Sequence, residues 1–145
     1  MNTTELLKPP VDVRLLGLLE LPDDLPEQLS IAEAAAITGL TAHTLRYYER
    51  IGLVQVGRDD AGYRSYDRQA MGRIMFVTRL RASDMPIGTI SHYLDLVAQG
   101  DHTAPQRLAL MEEHRAGIQR RMRDLQVALA VTDYKISTYG GTAAP

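Results

Sequence analysis

Apolar side chains recur at alternating intervals of four and three residues from Ala104 to Ile136, with only Arg115 and Thr132 polar in the series. This heptad pattern predicts a helix that packs along a narrow seam against another helix. At 1.5 Å per residue the helix would be about 50 Å long, more than a small helical body can cover. We therefore expect a second copy of the chain as partner, with a helix folded back on its own domain as the alternative. The residues expected at the dimer interface are Leu108, Met111, Ile118, Met122, Leu125 and Leu129.

Two short helices, joined by a turn that contains glycine, are predicted upstream. Ser30 and Glu33 have the spacing of a capping box, and Gly39 can end the first helix. Thr41 can cap a second helix that stops at Gly52. The pattern is typical of a helix-turn-helix, although any small helical hairpin would share it.

A hairpin is expected to follow the second helix. Residues 53–56 are predicted as a strand, residues 58–62 as a polar turn, and residues 63–66 as the returning strand. Beside a helix-turn-helix such a hairpin would be a wing. Without the adjacent helix, an ordinary solvated hairpin would be the simpler interpretation.

Three more helix starts can be read from capping residues. Asp67 can cap a third helix and Pro86 can open a fourth, each with apolar residues at helical spacing. Thr103 and Gln106 have capping-box spacing at the start of the long helix. The sequence therefore predicts an all-α fold with a small β-wing, in which a winged helix-turn-helix is followed by a long dimerisation helix.

Composition narrows the function classes. The chain of 145 residues has no cysteine, which excludes disulfides, zinc fingers and thiol-based sensing. No apolar run approaches the roughly 20 residues of a membrane span, so a cytoplasmic, nucleoid-associated protein with no membrane partner is expected. No phosphate-binding glycine loop, metal-spaced cluster or nucleophile motif is present, so we expect no enzyme, no catalytic residues, no metal and no cofactor.

Positive charge is concentrated in one segment of the chain. The net charge is −2, but residues 41–82 carry 8 basic and 4 acidic side chains. The flanking segments are acidic or nearly neutral: residues 1–40 carry 2 basic and 7 acidic side chains, and residues 83–145 carry 6 basic and 7 acidic ones. Because the position of charge matters more than its total, this segment is the candidate for binding nucleic acid.

Four regions follow from these patterns. Residues 1–29, rich in proline and acidic residues, are expected to form a partly disordered N-terminal extension. Residues 30–100 are predicted to be the winged helix-turn-helix with its linking helices, and residues 101–137 the coiled-coil helix. Residues 138–145 are expected to be a flexible tail.

The second helix carries the candidate residues for reading DNA. If it enters the major groove, its N-terminal residues Thr41, Ala42 and His43 would lie nearest the base edges. Arg46, one turn further along, can form bidentate hydrogen bonds with a phosphate or with the O6/N7 edge of guanine. Of the two adjacent tyrosines, one is expected to pack on the domain while the other offers its hydroxyl to a phosphate; the alternative is that both are core residues. The candidates on this helix are Thr41, His43, Thr44, Arg46, Tyr47 and Tyr48.

The hairpin adds three candidates. Gly62 allows a tight turn, and Arg58, Tyr63 and Arg64 can reach flanking phosphates or a minor groove. Phosphate contacts of this kind release counterions, so affinity is expected to fall steeply as salt rises. A dimer would read two half-sites related by symmetry.

These residues resemble a known family. The run G-L-T-x-x-T-L-R-Y-Y-E-R-x-G-L from Gly39, with R-x-x-x-G-Y-R-x-Y from Arg58, is similar to the MerR family of bacterial transcription regulators. The resemblance covers residues 30 to about 137. It implies a winged helix-turn-helix, two linking helices, and a long helix that forms an antiparallel coiled coil. It also implies DNA contacts by His43, Arg46, Tyr48, Arg58, Tyr63 and Arg64, with Tyr47 close by.

The resemblance further implies a mode of regulation. Family dimers bind pseudo-palindromic promoters with an overlong spacer and, on effector binding, bend and untwist the DNA, so that RNA polymerase is affected indirectly through promoter shape. The sequences Q-G-D-x-T at residues 99–103 and Y-K-I at 134–136 are similar to the aldehyde- or electrophile-responsive branch. That branch carries a cysteine where this chain has Arg79, and the metal-responsive branches use cysteines that this chain lacks. Candidate lining for a small apolar or aromatic effector is Met75, Met85, Tyr93 and Tyr134.

The expected function is therefore a homodimeric, sequence-specific regulator that binds double-stranded promoter DNA and distorts it in response to a small-molecule effector. The alternative is an accessory or architectural winged-helix protein that binds DNA and senses nothing. The long seam disfavours this alternative, because such modules usually end soon after the wing.

Overall fold

The structure is a computed structural model that describes residues 21–142. The expectations for residues 1–20, most of the N-terminal extension, and for residues 143–145 lie outside this part of the chain. The chain divides into two compact units, the first ending at Ser91 and the second beginning at His92.

The first unit contains the helix-turn-helix, α1 (Ile31–Thr38) and α2 (Ala42–Arg50). The Ser30 hydroxyl accepts the N–H of Glu33, and the Glu33 carboxylate accepts the N–H of Ser30, both at 3.1 Å, which confirms the predicted capping box. Hydrogen bonds to the Glu33 carboxyl, first from the Ser30 backbone N–H and then from the Ser30 side chain, lower its pKa. Gly39 ends α1 at a φ of 73°, a left-handed conformation that favours glycine.

A small antiparallel sheet joins three distant parts of the sequence. Its strands are β1 (Gln28–Leu29), β2 (Gly57–Arg58) and β3 (Arg64–Asp67), in the order β1-β3-β2. In the register Leu29 lies opposite Tyr66, and Arg58 lies opposite Arg64. The strands β2 and β3 form a wing, as predicted; β3 lies near the predicted returning strand, but β2 includes Arg58, which was predicted to be in the turn. The strand β1 was not predicted.

The prediction of a strand at residues 53–56 is wrong. Leu53 and Val54 are buried, and the segment follows α2 as turns and bends before β2 begins at Gly57. Apolar residues are common in strands, but here Leu53 and Val54 are buried in the core without pairing to a neighbouring strand.

Two linking helices follow the wing, as predicted: α3 (Arg68–Ala82) and α4 (Ile87–Gln99). The Asp67 carboxylate accepts the N–H of Ala70 at 2.7 Å, so the predicted cap of α3 is confirmed. The boundary between the two units falls inside α4. The buried residues of the first unit come from the strands, the helices and the segment after α2, and the largest include Leu45, Leu53, Tyr66, Met71, Ile74, Met85 and Ile90.

The second unit contains the end of α4, a short 3-10 turn at Asp101–Thr103, and the long helix α5 (Ala104–Thr138). The predicted capping box at Thr103 is wrong, because its side chain makes no capping bond to α5. The buried Thr103 hydroxyl instead donates to the carbonyl oxygens of Leu96, at 2.6 Å, and Gly100, at 2.8 Å. Arg107 Nε donates to the same hydroxyl at 3.2 Å.

The helix α5 has no buried residue in the single chain. Four of the six predicted seam residues are largely exposed, while Met111 and Ile118 are half-buried; the exposed four are Leu108, Met122, Leu125 and Leu129. Within residues 21–142, no helix is both long enough and apolar enough to cross a membrane.

Candidate nucleic-acid interface

The helix α2 is anchored by one face and presents the other. Leu45 and Tyr48 are buried, whereas His43 and Arg46 are exposed. The Thr41 hydroxyl caps the helix by accepting the N–H of Thr44 at 3.1 Å, and the two threonine hydroxyls lie 3.0 Å apart. Capping and burial thus hold the helix so that His43 and Arg46 face outward.

The two adjacent tyrosines differ in burial. Tyr48 is only 6% exposed, and burial, the largest effect, raises the pKa of its hydroxyl. Tyr47 is half-buried, and the Arg50 guanidinium lies over its ring, 5.4 Å from the centroid. Tyr47 is therefore the more accessible of the two.

The wing turn is organised by Asp59. Its carboxylate Oδ1 accepts the backbone N–H groups of Ala61 at 3.0 Å and Tyr63 at 2.9 Å. Gly62 has a φ of 86°, which permits the turn, and its N–H donates to the Asp59 carbonyl at 2.9 Å. At the end of this turn Tyr63 is 73% exposed. A large aromatic side chain is thus held outward by a hydrogen-bonded loop.

An acidic residue that the sequence analysis did not single out connects α2 to the wing. Glu49 Oε1 accepts from Arg58 Nη2 at 2.9 Å, and Glu49 Oε2 accepts from Arg64 Nε at 2.6 Å. Burial alone would raise the pKa of Glu49, but the hydrogen bond and charge of Arg64, followed by those of Arg58, lower it below its usual value. Two of the predicted DNA contacts are therefore paired with a carboxylate.

The opposite edge of β3 is secured by residues that precede the helix-turn-helix. The Ser65 hydroxyl donates to Gln28 Oε1 at 2.6 Å, next to the pairing of β1 with β3. The Arg68 guanidinium donates to the carbonyl oxygens of Pro22, at 3.1 Å, and Leu21, at 3.2 Å. Part of the segment before Ser30 is thus docked on the body that carries the wing.

The candidate effector residues are divided between the two units. Met75 and Met85 belong to the first unit, where Met85 is buried and Met75 half-buried. Tyr93 and Tyr134 belong to the second, where Tyr134 is 69% exposed. Among residues 21–142, no group of three or more acidic, histidine or cysteine side chains could hold a metal ion.

A capped helix with an exposed arginine, beside a hairpin with exposed basic and aromatic residues, defines a winged helix-turn-helix DNA-binding protein. Comparison with known proteins identifies its family. The family profile described as "MerR HTH family regulatory protein" matches residues 29–96, and that described as "MerR, DNA binding" matches residues 71–131. The chain belongs to the MerR family of transcription regulators, so the predicted fold and the predicted class of function are confirmed.

Individual relatives agree with this assignment. The chain is 39% identical over 88 residues to the transcriptional regulator AdhR of Bacillus subtilis, covering 60% of this chain and 63% of that protein. Among solved structures, a MerR-family regulator from Listeria monocytogenes has a TM-score of 0.71 and 34% identity, over 77% of this chain and 86% of that chain. HiNmlR, a MerR-family regulator lacking the sensor domain and bound to promoter DNA, has a TM-score of 0.71 and 28% identity, over 78% and 90%. The chain spans a little under two thirds of AdhR.

Proposed function

We propose that the protein is a homodimeric regulator that binds double-stranded promoter DNA sequence-specifically through α2 and the wing. The observation that carries this proposal is the joint presentation of Arg46 on α2 and Tyr63 on the wing by elements that are otherwise anchored in the core. HiNmlR, which has a similar fold, was crystallised on promoter DNA. In this proposal α2 lies in a major groove, with Thr41, His43, Thr44 and Arg46 nearest the bases.

The remaining candidates would hold the DNA backbone. Arg58 and Arg64 bind flanking phosphates, while Tyr63 contacts a phosphate or the adjacent minor groove. Tyr47 supplies the more accessible hydroxyl on α2. Tyr48 is only 6% exposed, so its contact with the DNA backbone would be small. Contacts to phosphate position the protein, so base selection depends mainly on the residues of α2.

Dimerisation follows from the exposed seam of α5. Leucines at positions 108, 125 and 129 are 58%, 69% and 60% exposed in the single chain. Burial of apolar surface is favourable by about 25 cal/mol per Å², and a second α5 offers a matching seam. We infer an antiparallel pair with Met111, Ile118 and Met122 also at the interface. The same seam favours this proposal over an accessory winged-helix protein.

Regulation would act through promoter shape. In response to an effector, the bound dimer bends and untwists its operator and so affects RNA polymerase indirectly, through promoter shape. A small apolar or aromatic effector would control how strongly the dimer distorts its operator. Since the sequence contains no cysteine, the effector would bind without modifying a thiol. Such a protein works on the nucleoid, in the cytoplasm.

Selection of duplexes from a random-sequence library by the purified chain tests this proposal. The expected product is an enriched duplex with two half-sites related by two-fold symmetry. Energy transfer between dyes at the two ends of that duplex then measures how far the bound dimer bends the DNA, and an effector is recognised as a compound that changes this value. Failure to enrich any sequence would contradict the proposal. A single asymmetric site bound by a monomer would favour the accessory alternative.

A further inference from the structure

The two arginines of the wing face each other across a strand pair. Arg58 on β2 and Arg64 on β3 are direct partners in the antiparallel register. Their side chains are 44% and 33% exposed. Two like charges in directly opposed positions repel each other and destabilise the pairing. Without a counter-charge nearby, the two guanidinium groups would stay apart, and each could adopt several rotamers.

Glu49 is placed to remove this repulsion. Each of its carboxylate oxygens accepts from a different arginine, at 2.9 Å from Arg58 Nη2 and at 2.6 Å from Arg64 Nε. The carboxylate is therefore a bridge between the last turn of α2 and both strands of the wing. Hydrogen bonds between ionised groups are shorter and stronger than neutral ones, so the bridge restricts both guanidinium groups.

The bridge is itself held in place from two sides. On α2, the residue before Glu49 is the buried Tyr48; on β3, the residues after Arg64 are the buried Ser65 and Tyr66. The Tyr66 ring lies close enough for the charge of Glu49 to raise the pKa of its hydroxyl, after the larger effect of burial. Glu49 and Arg64 are thus each next in sequence to a buried residue, which restricts the backbone at both ends of the bridge.

Charge alone would make this carboxylate unfavourable in a DNA-binding protein. Non-specific affinity rises with the number of phosphates that basic residues neutralise, and Glu49 offsets one of two positive charges. A carboxylate at this place reduces non-specific attraction, but it can favour a specific site by fixing the orientation of the arginines. Orientation matters for a specific site, where wing and helix must reach phosphates and bases in one fixed register.

We propose that Glu49 is a positioning residue for specificity: it orients Arg58 and Arg64 relative to α2 and lowers affinity for DNA of unrelated sequence. The proposal rests on the proposed function, since it assumes that α2 and the wing bind one operator. It goes beyond that function by assigning a role to an acidic residue that itself reads no base.

The test compares wild type with Glu49→Gln, Glu49→Asp and Asp60→Asn. Glutamine has the size of glutamate but no charge, and aspartate keeps the charge but is too short to span both arginines. Asp60 is an exposed acid of the wing turn, so Asp60→Asn is a control that removes the same charge without touching the bridge. The probes are the duplex most enriched by the wild-type chain from a random library and a shuffled duplex of equal length and base composition. Thermal unfolding of each variant checks that it is folded.

Affinities for both duplexes over a range of KCl concentrations give the expected pattern. Glu49→Gln should lower the ratio of specific to non-specific affinity by roughly fivefold to tenfold, comparable to losing one arginine contact. For this variant on the shuffled duplex, the slope of log affinity against log KCl concentration should steepen by about 1, because one more arginine is free to bind a phosphate. Glu49→Asp should lower the ratio while keeping the wild-type slope.

Two results would overturn the inference. The first is a ratio of specific to non-specific affinity in Glu49→Gln or in Glu49→Asp that equals the wild-type ratio. The second is a change of this ratio in Asp60→Asn as large as that in Glu49→Gln, since net charge would then explain the effect. Failure of the proposed function looks different, because the wild-type chain itself would not distinguish the two duplexes.

Discussion

Asp59 and Tyr63 close the wing turn by two reciprocal interactions. The Asp59 carboxylate accepts the N–H of Tyr63 at 2.9 Å, and the Asp59 N–H donates to the Tyr63 carbonyl at 2.8 Å. Only the first involves the side chain, so a substitution can remove it and leave the backbone bond. The carboxylate therefore controls how firmly the exposed tyrosine is presented.

Asp59→Ala is expected to weaken operator binding although it removes a negative charge. Loss of the two side-chain bonds should destabilise the turn by about 1 kcal/mol and free Tyr63 to move. Fluorescence anisotropy with the enriched duplex measures the effect. Asp60→Ala, which removes the same charge from the same turn, should bind as well as wild type or better. Equal affinities for the two variants would show that the turn bonds have no part in binding.

The Glu49 bridge is expected to make stability depend on pH in acid. Because the folded state holds the pKa of Glu49 below its usual value, the carboxylate stabilises the fold at pH above that usual value. This stabilisation is lost as the pH falls through the lowered pKa. Urea unfolding at several pH values between about 7 and 3 should show wild type more stable than Glu49→Gln near neutrality. A difference independent of pH would contradict the bridge.

Thr103→Val is expected to destabilise the second unit. The substitution preserves shape but leaves the carbonyl of Leu96 without the hydroxyl that now donates to it at 2.6 Å, in a buried position. The expected cost is about 1–3 kcal/mol, measured by urea unfolding. Thr138→Val is the matched control: the Thr138 hydroxyl donates to the Tyr134 carbonyl oxygen at 2.9 Å but is exposed, so the change should stay within about 0.5 kcal/mol. Similar costs at both sites would mean that burial of Thr103 is unimportant.

Charge placed in the seam of α5 is expected to separate the dimer. Leu125→Glu puts a carboxylate at the interface, and two-fold symmetry introduces it twice. Val127→Glu is a control of similar exposure, 65% against 69%, two residues along and therefore about 200° around the helix. Sedimentation analysis should find a monomer for Leu125→Glu at concentrations where wild type and the control are dimers. If both variants were dimers, or both were monomers, the assignment of the seam would be contradicted.

Elements with local signals were predictable from the sequence. Ser30 and Asp67 start their helices with side-chain caps, because capping depends on residues only three positions apart. The same local reasoning failed at Thr103, where a carbonyl seven residues earlier competes for the hydroxyl. It also failed at residues 53–56, where the core takes up apolar side chains that local pattern assigned to a strand.

Long-range features could not be predicted in this way. The strand β1 has two residues, too few for any periodicity, and it pairs with a segment almost forty positions away. Glu49 was overlooked because an acid beside an arginine-rich motif resembles an ordinary solvated residue. The pairing of Arg58 with Arg64, which calls for a nearby counter-charge, appears only in the observed register, because the predicted hairpin placed Arg58 in the turn.

The most direct test of the central claim, that α2 reads DNA, is the affinity of Arg46→Ala for the enriched duplex. The expected loss is about 1–3 kcal/mol on that duplex and clearly less on the shuffled one, because a base-reading arginine contributes to specificity. Arg123→Ala removes the same charge from an exposed position on α5 and should leave the preference unchanged. Wild-type affinity in Arg46→Ala, or an equal loss on both duplexes, would contradict the assignment of α2 as the recognition helix.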